Sequence, residues 1–150
     1  MTRIESHVII DAAVEEVFEF AADWRKWSDW FEGVSEFRAT GEVTRGSGAR
    51  YAYRARMLGI PAKVETEIHE FVENKGWTGV ATRGLPHRTQ WIFEPLSDTT
   101  KFTYVLEYKL PVPVVGALLD SLFVRREWRR IIDRSLQNLR AHFLPTQHNH

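Results

Sequence analysis

The sequence predicts an α+β fold in which a curved antiparallel sheet of about seven strands wraps around one long C-terminal helix. Three observations predict it. Between Val34 and Leu110, apolar residues alternate with polar ones and turn residues interrupt them at short intervals, as in an antiparallel meander. One further alternating segment and two short helical segments precede that region. Residues 114–143 have apolar positions at helical spacing and supply the only large cover for the sheet.

The N-terminal elements follow from a change of periodicity. Alternate residues from Ile4 to Ile10 are apolar or small, which predicts a strand with one buried face. Asp11 is expected to cap the helix that follows, because a carboxylate can accept hydrogen bonds from the free N–H groups of a first turn. The helix has apolar residues at positions 14, 17, 18 and 21, and the tryptophan-rich DWRKWSDWF at 23–31 predicts a second, shorter helix.

Five turn segments divide the meander into about six strands. Pro111 and Pro113 cannot continue a ladder of backbone hydrogen bonds and are expected to end the sheet. We expect one domain over residues 1–144 and a disordered tail over residues 145–150. The turns are RGSG at 45–48, LGIP at 58–61, ENKG at 73–76, RGLP at 83–86 and LSDTT at 96–100.

Charge and parity together predict the register of two hairpins. Around LGIP, paired positions that sum to 119 bring the two apolar sets together and place Arg54 opposite Glu65. In the last hairpin, sums of 195 place Arg88 opposite Glu107. Both registers collect the charges on a solvated outer face, where ion pairs contribute little to stability.

The inner face of the sheet has an unusual composition for a core, because four tyrosines lie on it and each buried hydroxyl needs a partner. Such a wall indicates a partly wet pocket between the sheet and the helix. The candidate wall residues are Tyr51, Tyr53, Met57, Thr66, Trp77, Thr89, Trp91, Tyr104 and Tyr108.

The C-terminal helix adds three candidates and one question. On a helical projection from Leu139, Arg125 falls in the apolar stripe with Trp128 and Ile132. A buried guanidinium is costly without partners, so Arg125 either meets tyrosines or an anionic ligand in the pocket or extends to the edge of the helix. Both alternatives stay open at the level of the sequence.

Composition excludes several function classes. Twenty basic and twenty acidic residues give no net charge, so we expect no nucleic-acid partner. The chain has no cysteine, and no apolar segment is long enough for stable membrane insertion. No signal peptide is evident, which predicts a cytoplasmic location. No metal, phosphate or dinucleotide motif occurs, so no cofactor is expected; histidines 142, 148 and 150 lie at the C-terminal end, where we expect no metal site.

Four segments resemble the START-like, helix-grip superfamily, and within it the polyketide cyclase/dehydrase and lipid-transport group. The likeness extends over about residues 3 to 143. It implies a cavity between the sheet and the long helix, which in different members holds lipids, quinones, polyketides or hormones, and it implies no particular reaction. The segments are VIIDAAVEEVFEFAADWRKWSDW at 8–30, GSG at 46–48, WIFEPLSDTTKFTYVLEY at 91–108 and the helical segment 110–143.

Our first hypothesis is that the protein binds or carries a small hydrophobic ligand, such as a lipid, a quinone or a polyketide-like molecule, without catalysis. The alternative is a polyketide aromatase/cyclase or dehydratase in which Arg125 polarises a carbonyl and Tyr53, Tyr104 or Tyr108 donates a proton. His87 is a further acid–base candidate, although a surface position is expected for it.

A third hypothesis is a protein-interaction module with a vestigial pocket. Leu119, Leu122 and Phe123 lie off the main stripe, and with LPVPVVG at 110–116 they form a second apolar surface. That surface would serve a partner, a dimer or a gate for lipid access. Packing beneath the neighbouring loops is the simpler explanation, and the chain is expected to be a monomer or a homodimer.

Overall fold

The computed structural model describes residues 2–57, 60–109 and 117–144, apart from the side chains at 57, 60 and 117–122. Between the first strand and the meander it has one α-helix and one 3₁₀ helix. The elements in chain order are β1 (Thr2–Ile10), α1 (Val14–Ala21), the 3₁₀ helix (Trp24–Asp29), β2 (Val34–Ala39), β3 (Arg50–Met57), β4 (Ile60–Val72), β5 (Gly76–Arg83), β6 (His87–Leu96), β7 (Thr99–Tyr108) and α2 (Ala117–His142).

The seven strands form one antiparallel sheet in the order β1-β7-β6-β5-β4-β3-β2. β2 to β7 are sequential neighbours, as expected of a meander, and β1 adds to the far side of β7. α1 and the 3₁₀ helix carry the chain from β1 at one edge to β2 at the other. The predicted fold class and strand number are confirmed.

The predicted helix after β1 forms, but Asp11 does not cap it. α1 begins after Ala13, whose side chain makes no capping hydrogen bond. Asp11 lies two positions too early, because a capping side chain must belong to the residue immediately before the first turn. Asp23 has that position at the 3₁₀ helix, where its carboxylate accepts a hydrogen bond from the backbone N–H of Arg25.

One predicted register is confirmed and the other is wrong by two residues. β6 and β7 pair with sums of 195, which places Arg88 opposite Glu107. β3 and β4 pair with sums of 117, so Arg54 faces Lys63 and forms its ion pair with Glu36 of β2, at 3.2 Å. A shift of two leaves every side chain on its predicted face, because side chains alternate with a period of two.

α2 packs along the inner face, but its buried stripe differs from the predicted one near its start. Val124, Ile132, Leu136 and Leu139 are buried, and Arg125 is exposed. The sheet is curved, so the line of contact turns gradually around the helix instead of following one direction.

The second half of α2 is fastened to the loop before β2. The Ser135 hydroxyl accepts a hydrogen bond from the backbone N–H of Glu32 at 2.9 Å and donates one to the carbonyl of Ile131 at 2.8 Å. The Asn138 amide donates to the carbonyl of Trp30 at 3.1 Å. These bonds fix the distance between this half of α2 and the sheet.

No helix in the described parts of the chain combines the length and the apolarity needed to cross a bilayer.

Candidate functional site

A cavity of about 90 Å³ lies between the inner face of the sheet and α2. Its lining includes ten of the twelve residues that the sequence analysis proposed for a binding site. The ten are Tyr51, Tyr53, Thr66, Trp77, Thr89, Trp91, Tyr104, Tyr108, Trp128 and Ile132. Parity of the strands places the first eight on one face, and the helical stripe adds the last two.

The structure does not bring Arg125 to this lining. The residue is exposed on α2, one position after buried Val124. Burial raises the pKa of Tyr108, and the positive charge of Arg125 is among the influences that oppose this shift. Of the two alternatives for Arg125, a side chain in the pocket or one that extends to the edge of the helix, the structure has the second. The side chain of Met57, the twelfth predicted residue, lies outside the described part of the structure.

One wall of the cavity comes from the 3₁₀ helix and β2 and was not predicted from the sequence. Trp27, Phe31, Val34 and Phe37 all line the cavity. Val34 and Phe37 are three residues apart and would face opposite sides of a regular strand. Glu36 has a φ of 57° and the pairing with β3 shifts between Ser35 and Arg38, so a bulge turns both side chains inward.

The centre of the cavity wall is a set of packed aromatic rings. Trp77 and Trp91 are cross-strand neighbours with ring centroids 4.6 Å apart, in a stacked arrangement. The Trp91 ring also meets Trp27 at 5.7 Å and Tyr104 edge-on at 5.6 Å. Each ring is held by others, so the wall has a fixed shape before any ligand arrives.

One end of the cavity is closed and the other is more accessible. Phe18 of α1 fills the closed end, with its ring 5.0 Å from Phe93 and 5.6 Å from Trp77. Half-buried lining residues gather at the opposite end, where β3 and β5 end and β4 and β6 begin. They include Tyr53, His87 and Leu85, which take part in two polar contacts at this end.

A hydrogen-bonded cluster spans three strands at this accessible end. The Tyr53 hydroxyl lies 3.1 Å from the Thr66 hydroxyl and 3.5 Å from Nε2 of His87. Nδ1 of His87 lies 2.7 Å from the carbonyl oxygen of Leu85. A carbonyl can only accept, so Nδ1 carries the proton, and in the neutral ring Nε2 is then an acceptor.

Burial determines the protonation states of the cavity. It lowers the pKa of His87, and the hydrogen bond to the Leu85 carbonyl only partly opposes this effect. Burial likewise raises the pKa of Tyr51 to about 12 and raises the pKa values of Tyr53 and Tyr104. At neutral pH all of these groups are therefore uncharged.

The described lining contains no Asp, Glu, Lys or Arg. Within the same described residues, no group of three or more His, Cys, Asp or Glu side chains could hold a metal ion. Chemically, this part of the cavity offers aromatic faces, aliphatic groups and a few neutral hydrogen-bonding atoms.

Comparisons with known proteins agree with this architecture. A family model described as polyketide cyclase / dehydrase and lipid transport matches residues 1–144. The crystal structure of TTHA0849 from Thermus thermophilus is similar at 20% identity with a TM-score of 0.82, covering 95% of this chain and 97% of that one. A START superfamily protein from Mycobacterium smegmatis is similar at 17% identity with a TM-score of 0.74, covering 95% and 99%.

The di-domain ARO/CYC StfQ from the steffimycin biosynthetic pathway is 13% identical with a TM-score of 0.77. The match covers 94% of this chain and 50% of StfQ, so this chain corresponds to about half of that protein. At such identities these likenesses establish the fold alone. No curated protein matches the sequence.

Proposed function

The chain belongs to the polyketide cyclase/dehydrase and lipid transport family, and from that membership we propose that it binds a small, neutral, lipophilic molecule between its sheet and α2. The binding needs no chemical step. The ligand's apolar part contacts the aromatic wall, and a neutral polar group faces the accessible end.

One observation carries this proposal: the described cavity lining combines many aromatic rings with no charged side chain. Burial of apolar ligand surface contributes about 25 cal/mol per Å². An ionic head would lose its hydration at such a wall without gaining a partner of opposite charge. A neutral ligand avoids that cost.

The position of Arg125 changes the kind of ligand that we propose. A guanidinium in the cavity would favour an anionic head, such as a fatty acid carboxylate. Because Arg125 is exposed on α2, ligands with a hydroxyl or carbonyl group replace carboxylates as the favoured class.

The size of the cavity constrains the ligand as well. At about 90 Å³ it is smaller than the roughly 150 Å³ of an apolar cavity that accepts benzene. A ligand with one aromatic ring must therefore extend into the accessible end or widen the space beside α2.

Two alanines of β3 provide a matched test. Ala55 is buried in the cavity lining, and Ala52 faces the opposite side of the same strand. Wild-type protein purified without detergent should yield a lipophilic compound on organic extraction and mass spectrometry. Ala55→Leu should reduce the amount because it fills the cavity, and Ala52→Leu should retain it. Equal retention by both variants would contradict the proposal.

A second candidate function, a dehydratase or cyclase, is favoured by the pairing of Tyr53 with His87. Neutral His87 can remove the proton next to a ligand carbonyl, and Tyr53 can protonate a leaving β-hydroxyl, which gives an unsaturated carbonyl and water. The imidazolium then returns its proton to the tyrosinate. Incubation with 4-hydroxy-4-phenylbutan-2-one tests it: loss of water that depends on both side chains supports catalysis, and no turnover leaves binding alone.

A further inference from the structure

The polar cluster at the accessible end contains one acceptor whose hydrogen bond within the protein is long. Nε2 of His87 has one described partner, the Tyr53 hydroxyl at 3.5 Å, which is longer than a normal hydrogen bond from a hydroxyl. Tyr53 is closer to Thr66, at 3.1 Å. The lone pair of His87 is thus available to a donor that enters the cavity.

The backbone fixes which nitrogen of His87 plays this part. The 2.7 Å contact between Nδ1 and the carbonyl of Leu85 can form only if Nδ1 is protonated. Leu85 lies two residues before His87 in the turn between β5 and β6, so the ring is oriented by its own turn. The acceptor nitrogen therefore faces Tyr53 and the cavity.

A hydroxyl on an aromatic ring or an enol matches this arrangement. Its O–H would donate to Nε2 of His87, and its oxygen would accept from the Tyr53 hydroxyl. The attached ring or double bond would lie against the aromatic wall formed by Trp91 and Tyr104. An ether or an ester lacks the donor, and a carboxylate would bring a charge to an acceptor.

We infer that His87 and Tyr53 form a recognition site for a phenolic or enolic hydroxyl, with Nε2 of His87 as the acceptor. The inference rests on the proposed ligand-binding function and names the polar group of its ligand. It assigns His87 a role in specificity that is independent of any catalysis.

A pair of small probes tests the site. p-Cresol has a phenolic hydroxyl, and 4-methylanisole has the same ring with a methyl ether. On apolar surface alone the ether should bind more tightly. We expect p-cresol to bind roughly three- to tenfold more tightly to the wild-type protein, the scale of one neutral hydrogen bond. NMR titrations of the tryptophan indole N–H signals measure both affinities.

Two histidine variants test whether His87 causes the preference for p-cresol over 4-methylanisole. His87→Leu removes the acceptor and should abolish or reverse the preference for p-cresol. His69→Leu is the matched control, because His69 lies on the outer face, beside Glu67 and away from the cavity. The control should keep the wild-type ratio of the two affinities.

A titration of the wild-type protein needs no variant. The titratable groups that line the described cavity with His87 are the tyrosines of β3 and β7, and the charge of Arg125 on α2 acts on Tyr108. The tyrosines stay neutral throughout acidic pH. Protonation of His87 converts its acceptor into a donor. Because burial lowers the pKa of His87, the preference for p-cresol should be kept near neutral pH and disappear as the pH falls below the ordinary histidine value of about 6.5.

The outcomes separate the two proposals. Equal binding of both probes by the wild-type protein, or a preference that survives in His87→Leu, overturns the hydroxyl site and leaves the cavity as a binding site. Failure of both probes to shift any indole signal of the cavity at millimolar concentration overturns the proposed function and the hydroxyl site together.

Discussion

Two residues on the buried side of α2 should respond differently to the same truncation. Ile132 and Leu136 are one helical turn apart and each is 2% exposed, but only Ile132 lines the cavity. The side chain of Ile132 therefore borders empty space on one side, whereas Leu136 is surrounded by protein. Atoms that line a void already lack part of their dispersion contacts.

The expected costs follow from that difference. Ile132→Ala removes three carbon groups, at about 0.8 kcal/mol each, so we expect a loss of about 2.5 kcal/mol. Leu136→Ala opens a new cavity in packed surroundings and should cost about 3–5 kcal/mol. For a domain of this size, each kcal/mol lowers the Tm by roughly 2–4 °C.

Urea unfolding of both variants measures the two free energies, and NMR titration with p-xylene adds a second readout. Ile132→Ala should bind p-xylene more tightly than the wild-type protein, because the truncation enlarges the existing cavity. Leu136→Ala should leave that affinity within about twofold, since this side chain does not line the cavity. A larger loss of stability at Ile132 than at Leu136, with no gain in p-xylene binding, would refute a pre-formed cavity at this position.

Three further changes give distinct results. Burial lowers the pKa of His87 below the value of about 6.5 in the unfolded chain, so between the folded and unfolded pKa values the unfolded state binds more protons. The unfolding free energy should therefore fall as the pH drops through this range. His87→Leu should remove this part of the pH dependence measured by urea unfolding, and an unchanged pH dependence would contradict the prediction. Ser135→Ala leaves the backbone N–H of Glu32 without its acceptor and should lower the free energy of unfolding by about 1–2 kcal/mol. Gln137→Ala, at an exposed position of the same helix, should lower it by less than about 0.5 kcal/mol. Equal losses in the two variants would show that Ser135 does not hold α2 to the loop before β2. Arg125→Leu should change stability by less than about 0.5 kcal/mol and leave p-cresol affinity unchanged, and a tenfold weaker affinity would return Arg125 to the site.

The fold could be predicted largely from sequence because alternation and helical spacing report directly on which face is buried. The register of β3 and β4 shows the limit of that information. Parity fixes a register only to within steps of two residues, and the attractive pair of Arg54 with Glu65 selected the wrong step. The long ladder of β6 and β7 has two consistent charge pairs, Arg88 with Glu107 and Glu94 with Lys101, and its predicted register was correct.

The part of the candidate site that regular strands and α2 form could be predicted from the sequence. The part that depends on an irregular strand could not. The bulge at Glu36 reverses the parity of β2, so strict alternation could not place both Val34 and Phe37 on the inner face. A positive φ at a glutamate leaves no reliable signal in a single sequence.

The two polar residues of the site illustrate a second limit. His87 has the same parity as Thr89 and Trp91, which places it on the inner face of the sheet. A surface position was nevertheless predicted for it, because histidines are frequent at protein surfaces. For Arg125, a projection at 100° per residue assumes a contact line parallel to the helix axis. Val124 is buried instead, about 100° around the helix from Arg125, so the turning of the contact line leaves the guanidinium exposed to solvent.

The proposed function places a neutral lipophilic molecule in the cavity between the sheet and α2. A crystal structure of the protein saturated with p-cresol tests it most directly. We expect ring density between Trp91, Tyr104 and Ile132, with the phenolic oxygen within hydrogen-bond distance of Nε2 of His87. Density only at the protein surface, for example against exposed Phe123, with the cavity empty at saturation, would show that the cavity is not the binding site.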